Sequence, residues 1–290
     1  MATTSLSPIP SYLATPYLTV AELKRSPIYT QLQKLVPGGS QADNDAELAQ
    51  IIQRVSAMIN GEVNQNLAAT KDVEAGWCTL NDFGELLIHT RCNPVVEVIS
   101  VSVGQSPYSQ VPITDLTYAL TDPWRITIPQ QALQGIASPF GFGRMGRRMW
   151  AQWTYVNGYP VTLIAEPVDV GDTTLTVTDS TGIVANSTTL TIEDGKFQET
   201  VTPTAVNGNV LTVPPLGYAH NVAVGVNALP HDIVEAALLL VSRLHNTWSL
   251  AMGAITHDGT GARKNPNAKG MGSHFMCDPA VILSPYQRRW

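Results

Sequence analysis

The chain has 290 residues, of which 44% are apolar and only 14% are charged, and its net charge is −6. The apolar fraction excludes intrinsic disorder, and no apolar run approaches the ~20 residues that a membrane span needs, so we predict a folded protein without a membrane segment. The acidic balance excludes a nucleic-acid binder held by counterion release. The sparse charge indicates a surface that partner proteins cover, and therefore an oligomer.

Cysteines and the first basic residue bear on the cellular compartment. Cys78, Cys92 and Cys277 form no C-x-x-C pair and their number is odd, so we predict free thiols in a reducing compartment. The first basic residue is Lys24, so the charged segment of a secretory signal is missing. We expect synthesis in the cytoplasm.

Two short helices are predicted to follow an extended arm over residues 1–18, which contain three prolines. Thr19 and Glu22 have the spacing of a capping box, which predicts a helix to about Arg25. A Ser-Pro pair ends this helix, and its proline begins a second one that runs to Leu35.

A long amphipathic helix is predicted next. From Leu48 to Val63 apolar residues recur at i, i+3, i+4 and i+7, which is the spacing of one helix face. The polar residues 43–45 are candidate caps, and Glu47 stands at capping-box spacing from Asn44. A glycine near its end predicts that the helix stops within 60–67.

Short β-like runs alternate with turns from residue 80 to residue 153. The run from Val95 to Val103 is mostly β-branched, which suits a half-buried strand. The strands expected in a small sheet here are Glu85–His89, Val95–Val103, Leu116–Leu120, Trp124–Ile128 and Met149–Val156.

A glycine-rich loop over residues 138–148 lies between the last two of these strands. Gly141, Gly143 and Gly146 match the dinucleotide pattern G-x-G-x-x-G, but that site needs a strand before the glycines and a helix after them. Here a Ser-Pro pair precedes and a β-like run follows, so we predict a flexible loop without a cofactor. Its candidate contacts to DNA or to a carboxylate-rich partner are Arg144, Arg147 and Arg148.

Residues 165–227 form an acidic block with its own pattern. Threonine alternates with aliphatic residues in Thr173–Val177, Thr188–Ile192 and Val210–Val213, as the strands of a small sandwich or barrel require. An Asp-Gly pair and an Asn-Gly pair mark hairpin turns. The block carries seven acidic residues against one lysine. We therefore predict an acidic all-β module.

A buried helix and a basic tail complete the chain. The helix begins at Pro230, runs to about Leu250 and is apolar on nearly all sides in its first half, which indicates burial on several sides. Its candidate subunit-interface or core residues are Leu240, Leu244 and Trp248. Residues 253–290 lack apolar periodicity and carry five basic residues against two acidic ones. We predict that this tail is extended and disordered in the free subunit.

No constellation of catalytic or metal-binding residues stands out. The P-loop, the G-x-S-x-G elbow, H-E-x-x-H and the EF-hand loop are absent from the sequence. His274, Cys277 and Asp278 lack the second pair of ligands that a zinc site needs. We therefore expect a protein that is not an enzyme and holds no metal and no cofactor.

Several segments carry a resemblance when they are taken in order. Residues 17–24 are YLTVAELK and residues 45–59 are DAELAQIIQRVSAMI. With the acidic block left out, WTYVNGYP at 153–160 runs into ALPHDIVEAALLL at 228–240. Two opening helices, a strand with a Gly-Tyr-Pro turn and a closing helix resemble the head-tail connector, or adaptor, proteins of tailed bacteriophages.

The resemblance implies a structural role in the virion. It implies a homo-oligomeric ring of twelve copies beneath the portal protein, leading to a tail or stopper protein, with double-stranded DNA passing through its channel without sequence recognition. The protein would assemble in the host cytoplasm and lie in the neck of the particle. The C-terminal segment would grip the portal, with candidate residues Arg263, Lys264, Lys269, Phe275, Met276, Tyr286, Arg288, Arg289 and Trp290.

These patterns predict an α+β fold with a helical core, a small sheet, an inserted all-β module and an extended C-terminal arm. The predicted parts are an arm at 1–18, a discontinuous adaptor core at 19–164 and 228–252, the module at 165–227 and the tail at 253–290. The alternative function is a β-domain that binds a glycan or a host surface on a helical stalk. Exposed aromatic residues would favour that alternative, and the module contains only Phe197 and Tyr218.

Overall fold

The computed structural model describes residues 15–33, 35–36, 38–137, 148–255 and 279–287. Helices and a large curled antiparallel sheet confirm the mixed α+β class. The described residues bury three hydrophobic clusters, which belong to the helices, to the large sheet and to a smaller β region. None of the helices in these ranges is both long enough and apolar enough to cross a membrane.

Helix ends follow local capping chemistry. Helix α1, Val20–Arg25, begins at the predicted capping box of Thr19 and Glu22. The second short helix is a 3₁₀ turn, Pro27–Gln31, and ends earlier than predicted because Leu32 already closes it with a bond to the carbonyl of Tyr29. These two turns place Leu23 and Leu32 in the helical cluster.

Helix α2, Gln41–Val63, begins one turn earlier than the predicted caps at 43–45. Ser40 is the N-cap and forms a reciprocal capping box with Asp43, so the earlier serine supplies the first hydroxyl acceptor. The helix ends at Asn64, whose φ of 57° is left-handed, inside the predicted range of 60–67.

Three helices pack together to bury the helical cluster. They are α2, α4 at His231–Ile255 and α5 at Pro279–Leu283. Helix α4 continues five residues beyond the predicted end at Leu250. The face of α4 that carries Ile233, Ala236, Ala237 and Val241 is fully buried, and Leu283 of α5 joins the same cluster. The core therefore holds both ends of the described chain.

Seven antiparallel strands form the large sheet. They are β1 Thr70–Leu80, β2 Leu86–His89, β3 Val95–Gly104, β4 Gln110–Pro112, β5 Ala119–Asp122, β6 Arg125–Ile128 and β7 Arg148–Asn157. Their spatial order is β4-β3-β7-β1-β2-β6-β5. The predicted strand at Leu116–Leu120 is displaced to β5, and its Leu116 and Tyr118 pack against the cluster of this sheet instead.

Strand β1 was not predicted, although it is central. It pairs with β7 along ten residues, from Thr70 opposite Asn157 to Thr79 opposite Arg148. Its sequence mixes charged residues and a glycine with apolar ones, which hides the alternation of a strand. Helix α3, Gln130–Ala137, was not predicted either, and its Leu133 closes the inner face of the sheet.

A smaller β region packs around the third cluster. Its strands are β8 Val161–Leu163, β9 Thr174–Thr176, β10 Leu190–Glu193, β11 Glu199–Val201, β12 Ala205–Asn207, β13 Val210–Thr212 and β14 Gly225–Asn227. They form sheets of order β11-β10-β14-β8 and β12-β13-β9. The predicted Asn-Gly hairpin joins β12 to β13, and Gly208 takes a φ of 56° there. The Asp-Gly pair lies instead in a wider turn with a 3₁₀ helix, Gly195–Phe197.

The first and last strands of this β region lie side by side. β8 pairs with β14, and the amide of Ala228 donates to the carbonyl of Pro160 at 3.0 Å. The sheet thus begins at Val161, and both of its ends meet the helical core at one place. The predicted module limits of 165 and 227 stay a prediction.

Candidate assembly surfaces

Helix α4 places two of its predicted interface residues at the border of the helical cluster. Leu240 and Leu244 are half-buried and pack against that cluster, beside the fully buried Val241. The side chain of Trp248 lies outside the described residues. One side of each leucine side chain therefore packs against the core of its own chain, and the other side is accessible to solvent.

The end of the predicted tail is held by the core, which corrects the expectation of one free arm over 253–290. Leu283 is only 1% exposed, and Gln65 donates its side-chain amide to the carbonyl of Tyr286 at 3.0 Å. The hydroxyl of Tyr286 lies 2.7 Å from both carboxylate oxygens of Asp232. Burial and this carboxylate raise the pKa of Tyr286 above its usual value.

Tyr286 is therefore anchored within its own chain. Its ring also meets Tyr159 edge-on, with 6.3 Å between the ring centroids. Apolar burial and side-chain hydrogen bonds offset the cost of ordering residues 279–287. Gln65 and Asp232, the two hydrogen-bond partners of Tyr286, are both far from it in sequence. The other candidate portal contacts lie outside the described residues: Arg263, Lys264, Lys269, Phe275, Met276, Arg288, Arg289 and Trp290.

The arginine loop can be placed only by its ends. Residues 138–147, with Arg144 and Arg147, lie outside the described residues, whereas Arg148 is the exposed first residue of β7. Helix α3 precedes the loop and β7 follows it. A dinucleotide site requires the opposite order of strand and helix, so the elements on either side of the glycines do not have the order of that site.

The outer face of the large sheet carries a pair of tryptophans that sequence reasoning missed. Trp77 of β1 lies opposite Trp150 of β7, and their rings meet edge-on with centroids 5.6 Å apart. Trp77 is 56% exposed and Val73 on the same face is 51% exposed. We name Val73, Trp77, Arg148 and Trp150 the tryptophan face. If β1 had been recognised as a strand, its pairing with β7 would have brought Trp77 next to Trp150. Val73 and Trp77 stand four residues apart, so they lie on the same side of that strand.

Strand alternation places the acidic residues of β1, Asp72 and Glu74, on the other side of the sheet, where both accept hydrogen bonds. The carboxylate of Glu74 is buried, and it accepts from the hydroxyl of Tyr155 at 2.6 Å and from the amide of Arg91. Asp72 accepts from the side-chain amide of Asn157 at 2.7 Å. Burial and the Glu74 charge raise the pKa of Tyr155 above its usual value, so its hydroxyl stays a donor.

The outward side chains of the two central strands include no carboxylate. They are Lys71, Val73, Ala75, Trp77 and Thr79 on β1, with Arg148, Trp150, Gln152 and Thr154 on β7. Arg148 stands at the same end of these strands as the two tryptophans, whereas Lys71 stands at the other end, in line with Glu97 of β3. The tryptophan face therefore suits a partner that brings carboxylates and an apolar side chain.

The small β region presents a loop with those properties. Residues 166–172, which we name the acidic loop, contain three exposed carboxylates, and Val170 at the tip is 66% exposed. The loop is fixed by backbone bonds, since the amide of Gly171 donates to Leu216 at 2.8 Å and the amide of Leu216 donates to Asp172 at 2.9 Å. A further bond joins the amide of Asp169 to the carboxylate of Asp172 at 2.8 Å.

The two aromatic residues of the β region lie together on its surface. Phe197 and Tyr218 have ring centroids 5.5 Å apart, each is 42% exposed, and the ammonium of Lys196 lies 5.0 Å from the Phe197 ring. Both aromatic residues were identified from the sequence, but their contact could not be predicted because they stand on different loops.

A buried histidine joins the loops that carry this aromatic pair. His220 Nδ1 lies 3.1 Å from Asp194 and its Nε2 lies 2.7 Å from Glu199. Carboxylates only accept hydrogen bonds, and an imidazole donates from both nitrogens only when it is protonated. Glu199 also accepts from the amide of Gly217 at 2.9 Å. His220 therefore forms a hydrogen-bonded latch between the two loops.

Substituting the latch should destabilise the β region. His220→Leu leaves the Asp194 and Glu199 carboxylates without their shared donor, and we expect a loss of about 3 kcal/mol in unfolding free energy. Chemical denaturation followed by tyrosine fluorescence measures the loss. The exposed His231→Leu is the matched control. Equal denaturation midpoints for the two variants would show that the latch contributes nothing.

Comparison with known proteins finds similarity to a solved structure but no matching family. No family model matches the chain, and no curated protein does. A solved structure described as "Neck of empty GTA particle computed with C6 symmetry" is similar to it with a TM-score of 0.38 and 14% sequence identity, over 94% of this chain and 90% of that chain.

Proposed function

We propose that the chain is a non-catalytic structural protein of a phage virion neck. Twelve copies form a ring beneath the portal protein, join the head to a tail or stopper protein and surround the channel through which double-stranded DNA leaves. The ring assembles in the host cytoplasm.

One observation supports this proposal above the others. The segments that carry the adaptor resemblance are far apart in sequence, yet each of them reaches the helical cluster. Tyr17 of the first segment and Ile233 of the third are buried in this cluster, and Tyr159 of the second packs against it. Trp153 and Tyr155 of the second segment are buried in the cluster of the large sheet. The second segment thus links the helical core to the large sheet.

The net charge of the chain agrees with the passage of DNA through a ring of such subunits. A net charge of −6 repels the phosphate backbone, so DNA can move through a ring of such subunits without being held. The sparse charge agrees in turn with large protein contacts. Arg144, Arg147 and Arg148 supply the local contact to DNA or to a neighbouring protein in this proposal.

The ring is tested with the purified full-length protein alone and mixed with the portal protein of the same particle. We expect a monomer or a loose assembly alone and a closed ring on the portal, because subunit contacts and docking are linked by mass action. Mass photometry gives the copy number, and negative-stain images give the shape. A dimer that forms without the portal, with no ring in the mixture, would overturn the proposal.

The exposed aromatic pair favours a second candidate function. Phe197 and Tyr218 offer two neighbouring ring faces, and such faces stack on the apolar side of sugar rings. The β region would then bind a glycan on a host surface. A glycan array probed with the protein and with Tyr218→Ser distinguishes the two, since binding that this variant loses would favour the second candidate.

A further inference from the structure

We propose that the ring is closed by the acidic loop of one copy, which docks on the tryptophan face of the next copy. This inference rests on the proposed ring and names its subunit contact. The occupant of the tryptophan face is therefore a second copy of this chain.

Apolar exposure suits a protein contact. Trp77 is 56% exposed, and Trp150 opposite it on the neighbouring strand is half-buried. Tryptophan is among the residues most enriched at the energetic centres of protein interfaces.

Charge selects the occupant. Arg148 stands two residues before Trp150 on β7, about 7 Å along the strand, so a cation borders the tryptophan pair. A guanidinium in this position pairs best with carboxylates, which can engage it with two parallel bonds. The acidic loop brings Asp169 and Asp172 on either side of the exposed Val170. Its valine matches the aromatic pair and its carboxylates match the arginine.

Exposure of both surfaces in one chain places the contact between copies. Trp77 is 56% exposed and Val170 is 66% exposed, so neither covers the other within the subunit. The two surfaces belong to different parts of the fold and are not alike. A contact between unlike patches is heterologous, and it propagates head to tail until the rotation closes a ring. A symmetric dimer would instead bring the same patch of each copy together.

A charge exchange tests the pairing on the portal-bound ring. Arg148→Glu and the double change Asp169→Arg with Asp172→Arg should each raise the protein concentration needed for ring assembly by about tenfold, because each places like charges together. The three changes combined should restore assembly toward the wild-type concentration. Failure of the combination to recover any assembly would overturn the pairing of Arg148 with the acidic loop.

The tryptophan face is tested separately by Trp77→Ser. Since Trp77 is exposed, the variant should stay folded, which circular dichroism checks, yet it should need at least about 30-fold more protein to form the ring. Tyr108→Ser is the matched control, because Tyr108 is 98% exposed and stands in the turn between β3 and β4. Rings formed by Trp77→Ser at the wild-type concentration would overturn the docking proposal and leave the ring itself intact.

A photo-crosslinking residue in place of Trp77 identifies the neighbour directly. In an assembly of equal parts ¹⁴N-labelled and ¹⁵N-labelled protein, we expect mixed-isotope crosslinks from position 77 to residues 166–172 of another copy. Crosslinks to the portal or to a tail protein, or to a different surface of a second copy, would overturn this inference. A wild-type protein that forms no ring on the portal would overturn the proposed function as well, so the two failures are told apart.

Discussion

Replacing residues 162–226 by a linker of about four Gly and Ser residues should leave a folded helical core. The helical cluster draws its buried members from 17–68, 229–241 and Leu283, whereas the cluster of the β region draws its own from 164–226. The linker is short because the amide of Ala228 already donates to the carbonyl of Pro160 at 3.0 Å. Far-ultraviolet circular dichroism and a thermal melt measure the result.

The deletion still removes contacts at the junction of the two parts. Arg25 donates to the carbonyl of Glu193 at 2.9 Å. Burial raises the pKa of Glu22, and the nearby Glu193 adds to the rise. Without the β region Glu22 becomes more exposed, so its pKa should fall toward the ordinary value, which a carboxyl titration by nuclear magnetic resonance follows. Because burial disfavours the charged form, this change removes a cost to the folded state above the Glu22 pKa.

One further variant completes the deletion test. Shortening the Asn207-Gly208 hairpin inside the β region is the control, since it leaves the junction and both of its strands in place. A loss of helical signal in the deletion, but not in the control, would show that the β region belongs to the core and that the predicted module limits are wrong. Retained portal docking by the deletion would place the β region outside the docking surface.

Features that depend on neighbouring residues could be predicted from the sequence. The capping box of Thr19 and Glu22 is complete within four residues, and the apolar stripe from Leu48 to Val63 specifies α2 by its own period. The hairpin at Asn207 and Gly208 needs only a left-handed turn. In each case the residues that decide the structure belong to one continuous segment of the chain.

Strand β1 could not be predicted because distant residues decide it. A glutamate in the middle of a strand argues against burial, yet Glu74 is buried since Tyr155, 81 residues away, donates to it. The pairing of Trp77 with Trp150 depends in turn on the register of β1 against β7. The tryptophan face was missed for this reason, although both tryptophans are visible in the sequence.

The C-terminal segment shows the same dependence on distant partners. Its Pro-Ala-Val-Ile-Leu run is too short for a periodic signal, so the tail was predicted to be free. Burial of Leu283 and the bonds of Tyr286 to Gln65 and Asp232 come from residues far away in sequence. The segment 279–287 is therefore fixed to the core of its own chain.

Truncation after Ile255 should therefore destabilise the core as well as weaken portal docking. Removing Leu283 opens a cavity in the helical cluster, and the comparable point variant Leu283→Ala should cost about 3 kcal/mol of unfolding free energy. The truncation also leaves Asp232 without the Tyr286 hydroxyl. Chemical denaturation of the two variants and the wild-type chain measures these losses.

Portal docking is separated from core stability by variants that leave residues 279–287 in place. If the tail docks on the portal as proposed, changing Arg263, Lys264 and Lys269 to glutamine should weaken docking and reduce its dependence on salt, because the contact would lose three cations. Truncation after Gln287 removes Arg288, Arg289 and Trp290 alone and should leave the denaturation midpoint unchanged. If both variants dock as the wild-type chain does, at low and at high salt, the tail does not grip the portal, and the arginine loop at 144–148 becomes the surface to change next.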